Sequence, residues 1–384
     1  MSEVVIVGAG IIGASVAYHL ARAGCKGVRV LDGHSGPGRG STGRATGGFR
    51  AQFGSEINVR LSLLSREKLT CFRDETGIDP GLRPCGYLFL AQDPGTLVQF
   101  DAHLAVQRRA GFTGARRVGT DEIREINPAV RADDLRGGLF CPTDGFLRPL
   151  EILRGYLDAA RRLGVRFDYR RPCRGFRMAG SRIVAVETPD EVVSAGCVVN
   201  AAGAWAARVG GYAGVEVGVT PVRSQVAVTR PFGGLPEEMP MTIFTEDGFH
   251  LRVRDGRVLI LRPDAPRGAD PFDDAVEPAW LDDVVARARE RVPCLADASV
   301  RLQDCWGGLY EMSPDRHALL GAAPGVENLY LANGSSGHGV MHAPALGQLL
   351  AEIILDGAAS TLDVRALRPG RFAEGEPIAA SVLL

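Results

Sequence analysis

Gly8, Gly10 and Gly13, spaced as Gly8-Ala9-Gly10-Ile11-Ile12-Gly13, follow the apolar run Val4 to Val7 and open a helical pattern from Ile11 to Ala23. A second strand pattern, Val28-Arg29-Val30-Leu31, ends at Asp32. In that setting the residues suit a dinucleotide. Gly8 permits a tight turn, Gly10 lets a pyrophosphate sit against the helix N-terminus, and Gly13 lets helix and strand pack closely. The carboxylate of Asp32 can accept from a ribose hydroxyl. Ile11, Ile12 and Gly33 are counted with this site.

Two further glycine-rich stretches narrow the choice of dinucleotide. Asn200-Ala201-Ala202-Gly203-Ala204-Trp205 follows a buried-strand pattern, and Gly334-Ser335-Ser336-Gly337-His338-Gly339, running on into Val340 and Met341, lies between a strand and a helix. Several backbone approaches to one sheet suit an extended ligand such as FAD.

Other chemistries are thinly supplied. Lys26 and Lys68 are the only lysines, so nearly all positive charge is guanidinium, a poor source of a general base or Schiff-base amine. Eight cysteines are scattered without a C-x-x-C pair or neighbouring histidines, which indicates reduced, mostly buried thiols and neither zinc nor disulfides. The formal charge of −1 gives no field for nucleic acid or an anionic membrane. No apolar stretch near the start reaches the ~20 residues of a membrane span, and no signal peptide is visible, so a cytoplasmic protein is expected.

The elements that must position these residues follow from periodicity. The 384 residues divide into roughly two or three folding units. The first β-α-β unit is followed by a helix pattern from Ser55 to Thr76 and a strand at Tyr87 to Leu90. Helices at 95–110 and 120–126 and a strand at 137–140 belong to a second layer. The helix 149–163 and strands at 165–169, 183–188 and 197–200 return to nucleotide-type architecture. Residues 221–305 are strand-rich with one helix at 280–291, and the chain closes with a strand at 328–332 and a helix from Ala343 to Leu355. The resulting class is α/β, with a Rossmann-like dinucleotide domain over 1–83, 145–219 and 315–384 and a second, mixed-sheet substrate domain over 84–144 and 220–314. Both are discontinuous in sequence.

Taken together, several segments resemble the FAD-dependent amino acid and amine oxidoreductases of the D-amino acid oxidase superfamily. The segment Gly40 to Phe53, which holds Ser41, Thr42, Thr46, Gly47 and Gly48, is most similar to the beta subunits of dye-linked L-proline dehydrogenase and heterotetrameric sarcosine oxidase. Gly86-Tyr87-Leu88-Phe89, Pro221 to Gln225, Trp306 to Tyr310, Ser313-Pro314-Asp315, the Ser336 to Gly339 turn and the closing Leu367 to Phe372 extend the likeness nearly end to end. The fold it implies is the GR2 type of FAD-binding domain, with flavin at the domain boundary and substrate over its face.

The resemblance also implies roles. Arg50 matches a family arginine whose planar fork suits a carboxylate. His250 falls where relatives often place a tyrosine over the substrate, and Tyr310 matches a tyrosine lining the pocket. His338 is expected to contribute its backbone more than its ring, and Met341 stands where monomeric sarcosine oxidase has a carboxylate-binding lysine. Cys173 matches a position whose backbone touches adenine. By spacing to Asp315, the position of a flavin-linked cysteine is Gly308, so the FAD is expected to be noncovalent. The implied reaction is oxidation of a C–N bond in a secondary or N-alkyl amino acid, giving an imine. Oxidation of a hydroxy acid or another amine, and service as a flavin-bearing subunit of a larger dehydrogenase, are the alternatives. Oxygen, a quinone or a partner subunit would accept the electrons, in a homo- or hetero-oligomer.

Overall fold

A computed structural model describes residues 4–264 and 270–379. Val4–Val7 is buried at every residue because it is the interior strand of a parallel sheet, with Val28–Leu31 on one side and Cys197–Asn200 on the other. Strands covered on both faces read as unbroken apolar runs. The full order is Leu319–Ala322, Leu329–Asn333, Cys197–Asn200, Val4–Val7, Val28–Leu31, Arg166–Asp168, and only Leu319–Ala322 runs antiparallel to its neighbour.

One face carries the helices Ile11–Arg22, Pro149–Arg162 and Gly339–Asp356, whose apolar residues share one core with the sheet. The first and last lie so close that a Cβ on Gly347 would strike Ser15. The other face is covered by a small antiparallel sheet of Gly175–Ala179, Arg182–Glu187 and Val192–Ser194, with Ile183, Val186 and Val193 packed against Val5, Val7 and Val198.

The second sheet has eight strands, in the order Trp306–Met312, Thr220–Val228, Arg257–Leu261, His250–Arg254, Met241–Phe244, Tyr87–Ala91, Gly137–Cys141, Arg116–Val118. It is mixed because Met241–Phe244 runs parallel to Tyr87–Ala91. The helices Thr120–Ile126 and Pro278–Arg291 close one of its faces. The two large sheets thus draw on alternating stretches of chain, and on that alternation we propose the two-domain division given above; its outermost ends, residues 1–3 and 380–384, lie outside the described residues.

Four details differ from the sequence reading. The strand expected at 183–188 leaves the nucleotide sheet for the small antiparallel one, because local alternation records burial without naming the partner. The helix over 55–76 breaks into Glu56–Thr70 and Phe72–Thr76 at Cys71. The last helix begins at Gly339, four residues before Ala343, and takes Pro344 into its interior; Ser65 Oγ accepts from the Ala345 N–H beside the proline at 3.3 Å. The eight free cysteines are less buried than expected: only Cys25 and Cys141 are fully buried, and Cys71 is exposed. Among the described residues no helix is long and apolar enough to cross a membrane, and no group of three His, Cys, Asp or Glu could hold a metal ion.

The packing makes one pH prediction. His342, on the last helix, is buried with its Nε2 3.0 Å from Ser62 Oγ, and burial, with Arg50 and His317 adding to it, pushes its pKa down to about 3. A histidine whose folded pKa is depressed gives its full stability above the unfolded value near 6.5 and loses it as pH falls toward the folded one. Urea unfolding at pH 7 and pH 4.5 should show a loss on the order of 2–3 kcal/mol from this group. His342→Gln removes that part of the loss; an unchanged pH slope contradicts the assignment.

Candidate active site

A cavity of about 440 Å³ opens at the carboxyl ends of the parallel strands, where Val7, Leu31, Ala201 and Ala332 contribute to its wall. Open α/β sheets bind ligands in this place. One end is formed by Asp32, Gly33, Cys173, Ala202, Gly203 and Trp205. The middle is formed by Gly8, Gly10, Ile11 and Ile12, with Ser41 and Thr42 across from them. The far end, under the second sheet, has Thr46, Tyr310, Gly337, Gly339 and Val340.

The three glycines of the first turn differ in what constrains them. Gly8 has φ +109° and a Cβ there would run into the carbonyl of Ala201, while a Cβ on Gly13 would run into Gly8 O. Both are dictated by the protein's own packing. A Cβ on Gly10 would meet nothing nearer than Thr42 Oγ1 at 3.5 Å, so its bare face is turned to the cavity. Thr42 Oγ1 also accepts from the Ile11 N–H at 3.1 Å, which places a hydroxyl at the start of the helix.

Asp32 steadies the same turn. Its Oδ2 accepts from Ala9 N–H at 2.8 Å, and its Oδ1 accepts from His34 N–H at 2.8 Å. Burial works to raise its pKa, but these bonds and the His34 side chain outweigh it, so the carboxyl lies below its ordinary value and stays ionised.

The cavity wall over residues 41–47 is pinned by side chains of the second sheet. Arg252 Nη1 donates to Thr46 O at 2.8 Å and Gly47 O at 3.2 Å, Arg254 Nη1 to Ala45 O at 3.3 Å, and Trp306 Nε1 to Arg44 O at 2.9 Å. In return Ser41 Oγ donates to Leu309 O at 2.6 Å and Arg44 Nη1 to Gly307 O at 2.6 Å. Arg252 is buried and its guanidinium lies 3.5 Å from the Phe146 ring centroid. Sequence reasoning stopped at His250 and missed these arginines. The available signal was the alternation in His250–Arg254, which puts residues 250, 252 and 254 on one face while Leu251 and Val253 enter the core. Arg252→Met should lower FAD affinity roughly tenfold, since hydrogen bonds to a charged donor contribute about 1.5–3 kcal/mol; fluorescence titration of the apoprotein measures it.

Arg50 and His250 lie outside that cavity lining, deeper under the second sheet. Arg50 is 4% exposed; it donates from Nη1 to Gln52 O at 3.0 Å and from Nη2 to His338 Nε2 at 3.1 Å, and stacks 4.2 Å from the Phe53 centroid. Burial lowers its pKa to about 10, against the pull of Tyr87 and Asp144, so it remains a cation at neutral pH. The His338 ring, as acceptor, holds the arginine, a contact that the glycine turn alone did not suggest. His250 Nδ1 donates to Gly248 O at 2.8 Å, which leaves Nε2 as an acceptor. Burial, with Arg50 reinforcing it, keeps the ring below its usual pKa and hence neutral. Tyr310 is 38% exposed and leaves its ring face against Gly337.

Gly13, Gly47, Gly48, Gly334 and Met341 also stand behind the lining. A Cβ on Gly47 would meet Leu147 O, and one on Gly48 would meet the Tyr87 hydroxyl. Met341 is buried in the apolar core. Missed by sequence reasoning but present in the wall are Arg44, Leu309, Glu311 and Ser335.

The residues present fit an extended dinucleotide. An ionised carboxylate stands at one end, a bare glycine at a helix start in the middle, and aromatic and glycine backbone at the far end. Comparison with known proteins agrees with this geometry. The crystal structure of L-proline dehydrogenase from P. horikoshii superposes with a TM-score of 0.89 at 28% identity, covering 98% of this chain and 99% of that one. FAD-dependent oxidoreductase domain-containing protein 1 of Xenopus laevis is 28% identical over 98% of this chain and 84% of its own length. Human mitochondrial dimethylglycine dehydrogenase is 30% identical over 97% of this chain, which spans only 44% of that relative. The model of the DAO family, described as FAD dependent oxidoreductase, matches residues 3–353, and the chain belongs to that family.

Proposed function

We propose that this chain oxidises the C–N bond of a secondary or N-alkyl amino acid, proline-like or sarcosine-like, with noncovalently held FAD. The observation that carries the reading is Arg50: a buried guanidinium beyond the flavin-type cavity, with a backbone carbonyl and an imidazole nitrogen as its hydrogen-bond partners and no ion pair to a carboxylate among the described residues. Buried charges are ordinarily paired, so a cation held this way suits an incoming carboxylate. L-proline and dimethylglycine, named for two relatives, both carry extra carbon on nitrogen. Gly308 stands in the cavity wall where a linking cysteine would be, and Cys305 Sγ donates instead to Arg301 O at 3.2 Å, which favours noncovalent binding.

Bound FAD supplies the two-electron acceptor for hydrogen leaving the carbon next to nitrogen. The chain's own residues do the placing. Arg50 binds the carboxylate through its fork. His250 offers Nε2 as an acceptor for a substrate N–H, and the Tyr310 phenol orders the ligand from the other side. The apolar surroundings of Phe53 and Phe89 exclude water from the reacting carbon. The product is an imine, which water hydrolyses after release. Product analysis tests this: an imine or an aldehyde from proline or sarcosine supports it, whereas turnover of 2-hydroxy acids alone to keto acids sinks it. Peroxide formation, compared with reduction of an artificial dye, identifies the acceptor class.

A further inference from the structure

Three side chains with unpartnered polar atoms cluster at the cavity, Glu311 and Ser335 in its wall and Asn333 beside Glu311 behind it. Glu311 Oε2, both amide atoms of Asn333 and Ser335 Oγ are buried without a hydrogen-bond partner among the described residues. Glu311 is 9%, Asn333 1% and Ser335 4% exposed. The cluster is built where the end of Trp306–Met312 meets the turn after Leu329–Asn333. Ser335 N–H donates to Glu311 Oε1 at 3.2 Å, and Ser336 N–H donates to Glu311 O at 3.2 Å. Buried polar atoms are nearly all hydrogen-bonded in folded proteins, so a concentration of orphans implies a partner from outside the chain.

We propose that Glu311, Asn333 and Ser335 form the hydrogen-bonding site for the ribityl hydroxyls of FAD, the polyhydroxy chain between pyrophosphate and ring system. The proposal rests on FAD filling this cavity. Glu311 and Ser335 are both in its wall. A Cβ on Gly339 would lie 3.4 Å from Ser335 Cβ and 3.5 Å from Ile12 Cδ1, so the cluster adjoins the helix start that suits the pyrophosphate. On its other side Glu311 follows directly on Tyr310, at the substrate end. The linker between the two halves of the cofactor must cross this interval.

The donor set also selects hydroxyls over other groups. Asn333 and Ser335 both donate and accept, as a polyol does. A carboxyl here disfavours a second anion, which argues against phosphate. Burial raises the Glu311 pKa to about 7, against the Ser335 backbone and the neighbouring polar side chains, so near neutrality it can accept or donate.

The test compares FAD with an FAD analogue lacking ribityl hydroxyls, each titrated into apoprotein prepared from the holoprotein and followed by flavin fluorescence. The expected result is that wild type binds FAD about tenfold or more tightly than the analogue, and that this preference shrinks to about twofold or less in Glu311→Ala with Asn333→Ala. Ser335→Ala, a single-atom truncation, should narrow the preference in part and guards against misfolding of the double variant. A preference that persists undiminished in folded variants overturns the proposal and leaves the cluster as the seat of a structural water. Wild type that binds neither flavin overturns the cofactor reading itself.

Discussion

Arg50→Met lowers kcat/KM for an amino acid substrate by roughly 10²–10³-fold while leaving the fold as stable as before or more so. Truncating one partner of a buried, hydrogen-bonded charge pair costs about 2–5 kcal/mol, and each 1.36 kcal/mol is about tenfold in rate. Stability moves the other way because the guanidinium is buried at a cost that its two hydrogen bonds and the Phe53 ring offset only in part, a bound carboxylate supplying the rest. Removing it abolishes that desolvation along with two hydrogen bonds, to Gln52 O and His338 Nε2. Most of the loss should fall on KM for substrates with a carboxylate and little on amines without one. Arg50→Lys keeps the charge without the fork and should fall between. Equal losses for carboxylated and uncarboxylated amines would make Arg50 a packing residue.

The second large effect separates Gly10 from Gly13. A methyl on Gly10 has no protein atom nearer than 3.5 Å, so Gly10→Ala should unfold at the wild-type temperature as apoprotein. The same methyl fills the place where a pyrophosphate must come close, and FAD affinity should fall roughly a hundredfold, or about 3 kcal/mol. Gly13→Ala does the reverse. Its methyl strikes the backbone carbonyl of Gly8, so the helix must move off the strand, and the apoprotein Tm should drop by several degrees at about 2–4 °C per kcal/mol. Thermal unfolding with and without FAD distinguishes the two. A Gly10→Ala protein that binds FAD normally would remove the pyrophosphate from that turn.

The first β-α-β unit was legible because its apolar run, glycine spacing and helix pattern all fall within some thirty-five consecutive residues. Val4–Val7 is apolar throughout since helices and a second sheet cover both faces, and the glycine spacing follows from contacts within a few residues and with Ala201. What escaped depends on long-range partners. Arg252 and Arg254 support residues 45–47 from more than 200 positions away, and nothing in a strand's polar face names what it touches. Glu311 falls just after the Trp306 to Tyr310 segment, and only its burial sets it apart from an ordinary strand carboxylate. The ring of His338 was discounted because a glycine turn suggests backbone contacts; its bond to Arg50 depends on how Phe53 and the last helix pack. The strand 182–187 shows the same limit at the level of fold, since its alternation fits either sheet.

The most direct measurement is the visible spectrum of FAD-loaded protein under anaerobic conditions, recorded before and after adding proline, hydroxyproline, sarcosine or dimethylglycine. Bleaching of the oxidised flavin band by at least one of these, and not by the corresponding carboxylates lacking nitrogen, is the predicted result. A loaded protein whose flavin none of the four reduces would contradict the account.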